Sequence, residues 1–122
     1  MSATAPGLRV TCPAGDIEGQ ETAACRQFLG IPFAQPPLGP RRLAPPAPLP
    51  PGRHQATRAR PAPPQLAGKA LALRPVGAID EDCLHLNIQA PCASGPHPVW
   101  GWSYGGGFTN GDARGPIPEG AP

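Results

Sequence analysis

The chain has 122 residues, enough for one small domain and too few for two. Its 21 prolines and 16 glycines interrupt helices and central strands, and aromatics at 5% leave few large side chains for a core, so the chain is not expected to bury enough surface to fold well alone. A net charge of +2 with scattered Lys and Arg argues against nucleic acid as a partner, and no apolar run approaches the roughly 20 residues that span a membrane.

Leu8-Arg9-Val10-Thr11 is β-prone, Pro13-Ala14-Gly15-Asp16 is a turn cluster, and Ile17 begins a second extended piece. Together they predict a short hairpin. Phe28-Leu29-Gly30-Ile31-Pro32-Phe33 follows as an apolar run punctuated by Gly and Pro. From Pro32 to Pro64, 12 of 33 residues are proline, which predicts loop or polyproline-II rather than helix. Gln65 to Leu73 is the single candidate helix, with Pro64 placed to open its first turn and Gly68 weakening it.

Asp82 to Ala90 gives the clearest strand. Leu84, Leu86 and Ile88 alternate with His85, Asn87 and Gln89, the period of a half-buried strand with an apolar and a polar face. After a Pro/Gly/Ser linker, Val99-Trp100-Gly101-Trp102-Ser103 reads as a weak strand leading into Tyr104-Gly105-Gly106-Gly107-Phe108. Asn110 to Pro122 is polar and rich in Gly and Pro, a fraying tail.

Three consecutive glycines let a substrate approach main-chain N–H groups closely. Two such donors aimed at one point stabilise the oxyanion of acyl transfer. Taken alone, the triplet is weak evidence, because a flexible linker explains most such triplets.

Three runs in one order narrow the choice: Phe28-Leu29-Gly30-Ile31-Pro32-Phe33-Ala34-Gln35-Pro36-Pro37-Leu38-Gly39, Glu81-Asp82-Cys83-Leu84-His85-Leu86-Asn87-Ile88, and Trp102-Ser103-Tyr104-Gly105-Gly106-Gly107-Phe108. Their order and spacing closely resemble the N-terminal part of the carboxylesterase type-B (cholinesterase-like) family. The resemblance implies an α/β fold, here an N-terminal fragment of an α/β-hydrolase made mostly of short strands and Pro/Gly-rich loops with an incomplete sheet. It places a partial domain over residues 1–111 and a flexible tail over 112–122.

By the same resemblance, Gly106 and Gly107 supply oxyanion-hole N–H groups, with a third from the residue after the serine nucleophile. Tyr104 stands where many members carry His, a departure shared with the cholinesterases. Arg42 is expected to pair with Glu81, and Phe33 with the loop after it to serve as scaffold. The family's A-C-P-Q segment reads Ala62-Pro63-Pro64-Gln65, so Cys83 lacks its usual disulfide partner and is expected to be a free thiol.

No G-x-S-x-G occurs in these residues: Ser2, Ser94 and Ser103 lie in other contexts. The acid and the His follow the Ser in this fold, so His54, His85 and His97 come too early and are expected to be surface residues. The function implied is carboxylic ester hydrolysis on a small-molecule ester, interrupted before the nucleophile and inert by itself, with a C-terminal portion of the same domain as the missing partner. Two other readings compete. One is a non-catalytic binding member of the family. The other is a disordered proline-rich ligand, since Arg42-Leu43-Ala44-Pro45-Pro46-Ala47-Pro48 has the R-x-x-P-x-x-P form. Cys12, Cys25, Cys83 and Cys92 are too dispersed for a metal site, and no cofactor is implied. Met1 to Val10 lacks the basic and apolar regions of a secretory signal, which leads to a cytoplasmic expectation.

Overall fold

The computed structural model describes residues 8–65 and 78–113, and within them five strands and one 3-10 turn. The expected helix, apart from Gln65, and the tail beyond Ala113 lie outside the described residues.

Pro13 and Ala14 turn the chain between β1 (Leu8–Cys12) and β2 (Gly15–Glu21), which pair antiparallel with Val10 opposite Ile17 and Cys12 opposite Gly15. A two-residue connection fixes register tightly, as the turn cluster predicted. Thr22 closes the next reversal. Its N–H and its Oγ1 each donate to the Cys25 carbonyl at 2.9 Å, and Oγ1 accepts from the Cys25 N–H at 3.0 Å. That turn launches β3 (Arg26–Pro32), which pairs with the end of β2 through Gln20–Gln27 and Glu21–Arg26.

The free edge of β2 is divided between two neighbours. Its first half pairs in parallel with β4 (Gly52–Gln55), Gly15 against Gly52 through Glu18 against Gln55. Ala56 sits at the fork: its N–H donates to the Glu18 carbonyl and its own carbonyl accepts from Leu29 N–H, both at 2.7 Å. Full burial of its small side chain lets three chain segments meet there. The proline-rich segment was expected to be loop throughout, and β4 corrects that. Gly52 to Ala59 is free of proline, so its N–H groups remain available for a ladder. Elsewhere the segment is loop, apart from the 3-10 turn Gly39–Arg41.

β5 (His85–Ala90) lies antiparallel on the other side of β3, giving the order β1-β2-β3-β5. The register shifts between Leu29 and Ile31, so Gly30 is an extra residue, a bulge with φ +79°. An unbulged strand would send Phe28 and Ile31, three apart, to opposite faces. The bulge re-phases the strand, and both join Ala56 in one cluster with Leu8 and Ile17 packed against it. The N–H that the bulge removes from the ladder is taken by Asn87 Oδ1 of β5 at 2.8 Å. A Cβ on Gly19 would meet the Phe28 ring at 2.5 Å, so β2 keeps a bare backbone under that ring.

Two expectations are corrected here. The period-two alternation of β5 is real, but its apolar side faces out. Leu86 and Ile88 are 38% and 46% exposed, whereas the His85 side chain is only 7% exposed. On the other side of β5, His85 and Asn87 line a small pocket with residues 60–63 and 112–113, while Leu86 and Ile88 stay partly exposed. Val99–Ser103 forms no strand, because no described strand lies alongside to pair with it; Val99 and Trp100 are 96% and 77% exposed.

Buried hydrophobic residues among those described are Phe28, Ile31, Ala34, Ala56 and Ala62. A core of two large side chains and three alanines is small for a five-stranded sheet. Arg42 Nε does meet Glu81 Oε1 at 2.8 Å, as expected, but the two side chains are 65% and 38% exposed. Such a pair contributes under about 1 kcal/mol rather than the several of a buried one.

Candidate functional site

The glycine loop is anchored from its C-terminal side, not from a preceding strand. The Gly106 carbonyl accepts from Thr109 N–H and Asn110 N–H at 3.1 and 3.2 Å, and from Thr109 Oγ1 at 3.1 Å. Gly107 and Phe108 between them have φ +60° and +62°. Left-handed φ at both central residues marks a type I′ turn, and an aromatic residue there is strained by about 1–3 kcal/mol. At Gly106 (φ +149°) an added Cβ would run into the Asn110 carbonyl, so the turn requires glycine.

With its carbonyl committed to the turn, Gly106 has an N–H with no acceptor among the described residues, and so has Gly107. Both line an open depression of about 430 Å³ whose other wall is Pro63, Pro64 and Gln65, with Tyr104 at one end. Sequence reasoning missed Gln65 as a site residue. Its side-chain Nε2 donates to the Gly111 carbonyl and its Oε1 accepts from Gly111 N–H, both at 2.9 Å, so the amide imitates one rung of a sheet. Nε2 also donates to the Pro63 carbonyl at 3.0 Å. The only signal was the retained Gln of an Ala-Pro-Pro-Gln segment otherwise notable for its missing Cys.

Asn87 supplies the second tether. Its Nδ2 donates to the Ala113 carbonyl at 3.1 Å while its Oδ1 holds the β3 bulge, so one side chain ties the segment after the glycines to the sheet. Between the tethers lies a small pocket of about 30 Å³, bordered by Cys83, His85, Asn87, Tyr104 and Asp112 among others. That is room for about one water.

His85 belongs to this interior and not to the surface. Its Nδ1 is buried with no hydrogen-bond partner among the described residues, and its Nε2 lies 3.7 Å from Asp82 Oδ1. Burial pulls its pKa below the usual histidine range, Asp82 opposes that pull, and Arg60 adds to it. His54, half-buried, donates from Nε2 to the Ala14 carbonyl at 3.3 Å, and His97 is exposed. None of the three stands in the glycine depression.

All four cysteines are free. Burial, reinforced by Asp82, pushes the Cys83 thiol above its ordinary range, so little thiolate forms at neutral pH and the group is a poor nucleophile.

Among the described residues, the glycine loop therefore offers two uncommitted backbone donors beside an open groove. Such donors bind a carbonyl oxygen that gains negative charge.

A solved thermophilic pNB esterase has a similar fold, with a TM-score of 0.76 and 33% identity, over 84% of this chain and 22% of that one. The fold is thus the N-terminal part of an α/β-hydrolase. The chain belongs to the carboxylesterase family, whose model matches residues 6–119. It is 42% identical to a fumonisin B1 esterase of Sphingopyxis macrogoltabida, over 88% of this chain and 20% of the relative. With the secreted lipase 1 of Botryotinia fuckeliana the identity is 36%, over 89% and 23%. With an acetylcholinesterase of Bungarus fasciatus it is 37%, over 87% and 20%. The chain spans about a fifth of the length of these relatives.

Proposed function

We propose that this chain is the oxyanion-loop segment of a carboxylic ester hydrolase domain, with Gly106 and Gly107 N–H groups receiving the carbonyl oxygen of a small-molecule ester. The observation that carries the reading is the pair of uncommitted N–H groups on a turn locked through the Gly106 carbonyl, beside an open groove. An attacking serine, its histidine and its acid would come from residues beyond these 122, because no G-x-S-x-G occurs among them. Family membership supports the ester as substrate class. The fumonisin esterase, the lipase and the acetylcholinesterase differ in the ester their names imply, so the acyl and alcohol groups are set elsewhere in the domain.

Donors without a nucleophile bind a carbonyl but do not cleave it, so these residues by themselves are inert. The purified chain should give no saturable hydrolysis of p-nitrophenyl acetate; saturable turnover would overturn that part of the reading. Joined in one chain to the remaining part of a relative's domain, it should support hydrolysis. In that fusion Gly106→Ala, which keeps the N–H but drives a Cβ into the Asn110 carbonyl and so displaces the donor, should lower kcat by about 10²–10³, the size of effect a lost oxyanion donor has. An unchanged kcat would refute the role assigned to the loop, and an inactive fusion that folds would favour a binding member of the family.

A further inference from the structure

We propose that β4 and the residues following it form an anion-binding site that takes the phosphate or carboxylate group of a small ligand. The site is a cavity of about 180 Å³ lined by Arg53, His54, Gln55, Thr57, Arg58 and Arg60, with Pro32 at its edge. Every side chain in that set except proline can donate a hydrogen bond, and no Asp or Glu lines the cavity. No residue of the glycine loop contributes.

The arginines are held by the fold. Arg58 and Arg60 run past the β3 bulge, where a Cβ on Gly30 would lie 2.5 Å from Arg60 Cγ and 2.8 Å from the Arg58 carbonyl. The bare glycine thus seats the aliphatic stem of Arg60 against backbone and presents its guanidinium from a half-buried position. Leu29 and Thr57 bridge in parallel just before this point, which fixes the start of the strip.

Neither Arg58 nor Arg60 has a carboxylate within ion-pair distance among the described residues. Arg53 has only a long contact, 3.7 Å to Glu18 Oε1, and Glu18 already meets Arg9 at 3.4 Å. Three arginines around one concavity, two of them without an ion pair among the described residues, repel each other until an oxyanion accepts from them, and planar arginine forks suit phosphate and carboxylate oxygens. The volume falls below the roughly 300 Å³ at which whole drug-sized ligands fit, so the site grips a charged group and leaves the rest of the ligand outside.

The test uses the full chain, ¹⁵N-labelled, titrated separately with inorganic phosphate and with malonate at constant ionic strength held with sodium chloride. Saturable shifts confined to Arg53–Arg60 and the facing part of β3 support the site, and the tighter of the two ligands assigns the oxyanion. The double variant Arg53→Gln, Arg58→Gln, both exposed and outside the core, should weaken the preferred ligand by about tenfold or more with the remaining spectrum unchanged. Shifts spread equally over Arg9, Arg26 and Arg41, the same shifts with chloride alone, or full affinity in the double variant would each overturn the proposal.

Discussion

Replacing Asn87 by Leu removes one side chain and two tethers, so its cost can be worked from the geometry. Gly30 N–H, left out of the ladder by the bulge and buried, donates to Asn87 Oδ1 at 2.8 Å. Stranding that donor costs about 1–3 kcal/mol. Losing the 3.1 Å bond from Asn87 Nδ2 to the Ala113 carbonyl adds about 0.5–1.5 kcal/mol, because that group is half-buried and water replaces part of it. The expected loss is about 2–4 kcal/mol, large against the ~5–15 kcal/mol that holds ordinary domains together. Asn87→Asp keeps the acceptor for Gly30 and removes only the donor, so it should cost less than half as much. Urea unfolding of the chain gives the energies, and hydrogen exchange at Gly30 locates them. Exchange at that amide should accelerate strongly in the Leu variant and little in the Asp variant. A Leu variant within about 0.5 kcal/mol of the parent, or unaltered exchange at Gly30, would refute the account of the bulge.

Other outcomes follow from the same structure. His85 has its folded pKa below the unfolded value of about 6.5, so the unfolded chain binds the extra proton first. Its contribution to stability is fully present above that value and is lost as pH falls from there through the lowered folded pKa. Urea midpoints measured across mildly acidic pH should fall, and His85→Phe should flatten the dependence. Gln65→Leu should free Gly111 N–H to exchange rapidly while β1 to β3 keep their protection, since the amide pair at 2.9 Å is what holds that end of the glycine loop. Arg42→Ala should change unfolding energy by less than about 1 kcal/mol, because its 2.8 Å pair with Glu81 is solvated; a loss of several kcal/mol would show the pair to be buried in solution.

The sequence by itself determined the local pieces and the family. The Pro13-Ala14 reversal, the extended β5 segment and the proline-rich loop follow from residue-level preferences: fixed proline φ, period-two alternation and turn chemistry. Three motifs in register identified the carboxylesterase kinship, because their residues are specific in type and order. The pairing of Arg42 with Glu81, 39 positions apart, came from that kinship and not from any local rule.

What only the tertiary structure decided was direction and partnership. Alternation separates the two faces of β5 but carries no sign for which is covered, and the sign depends on neighbours supplied by distant segments. His85 therefore turns inward and Ile88 outward, against the apolar-in expectation. β4 exists because β2 offers half an edge, which no four-residue window reveals. Gln65 and Asn87 act through contacts 46 and 26 residues away, reaching Gly111 and Ala113. Val99–Ser103 has strand-like residues but no described neighbour to pair with, and a strand is a property of two chains side by side rather than of one.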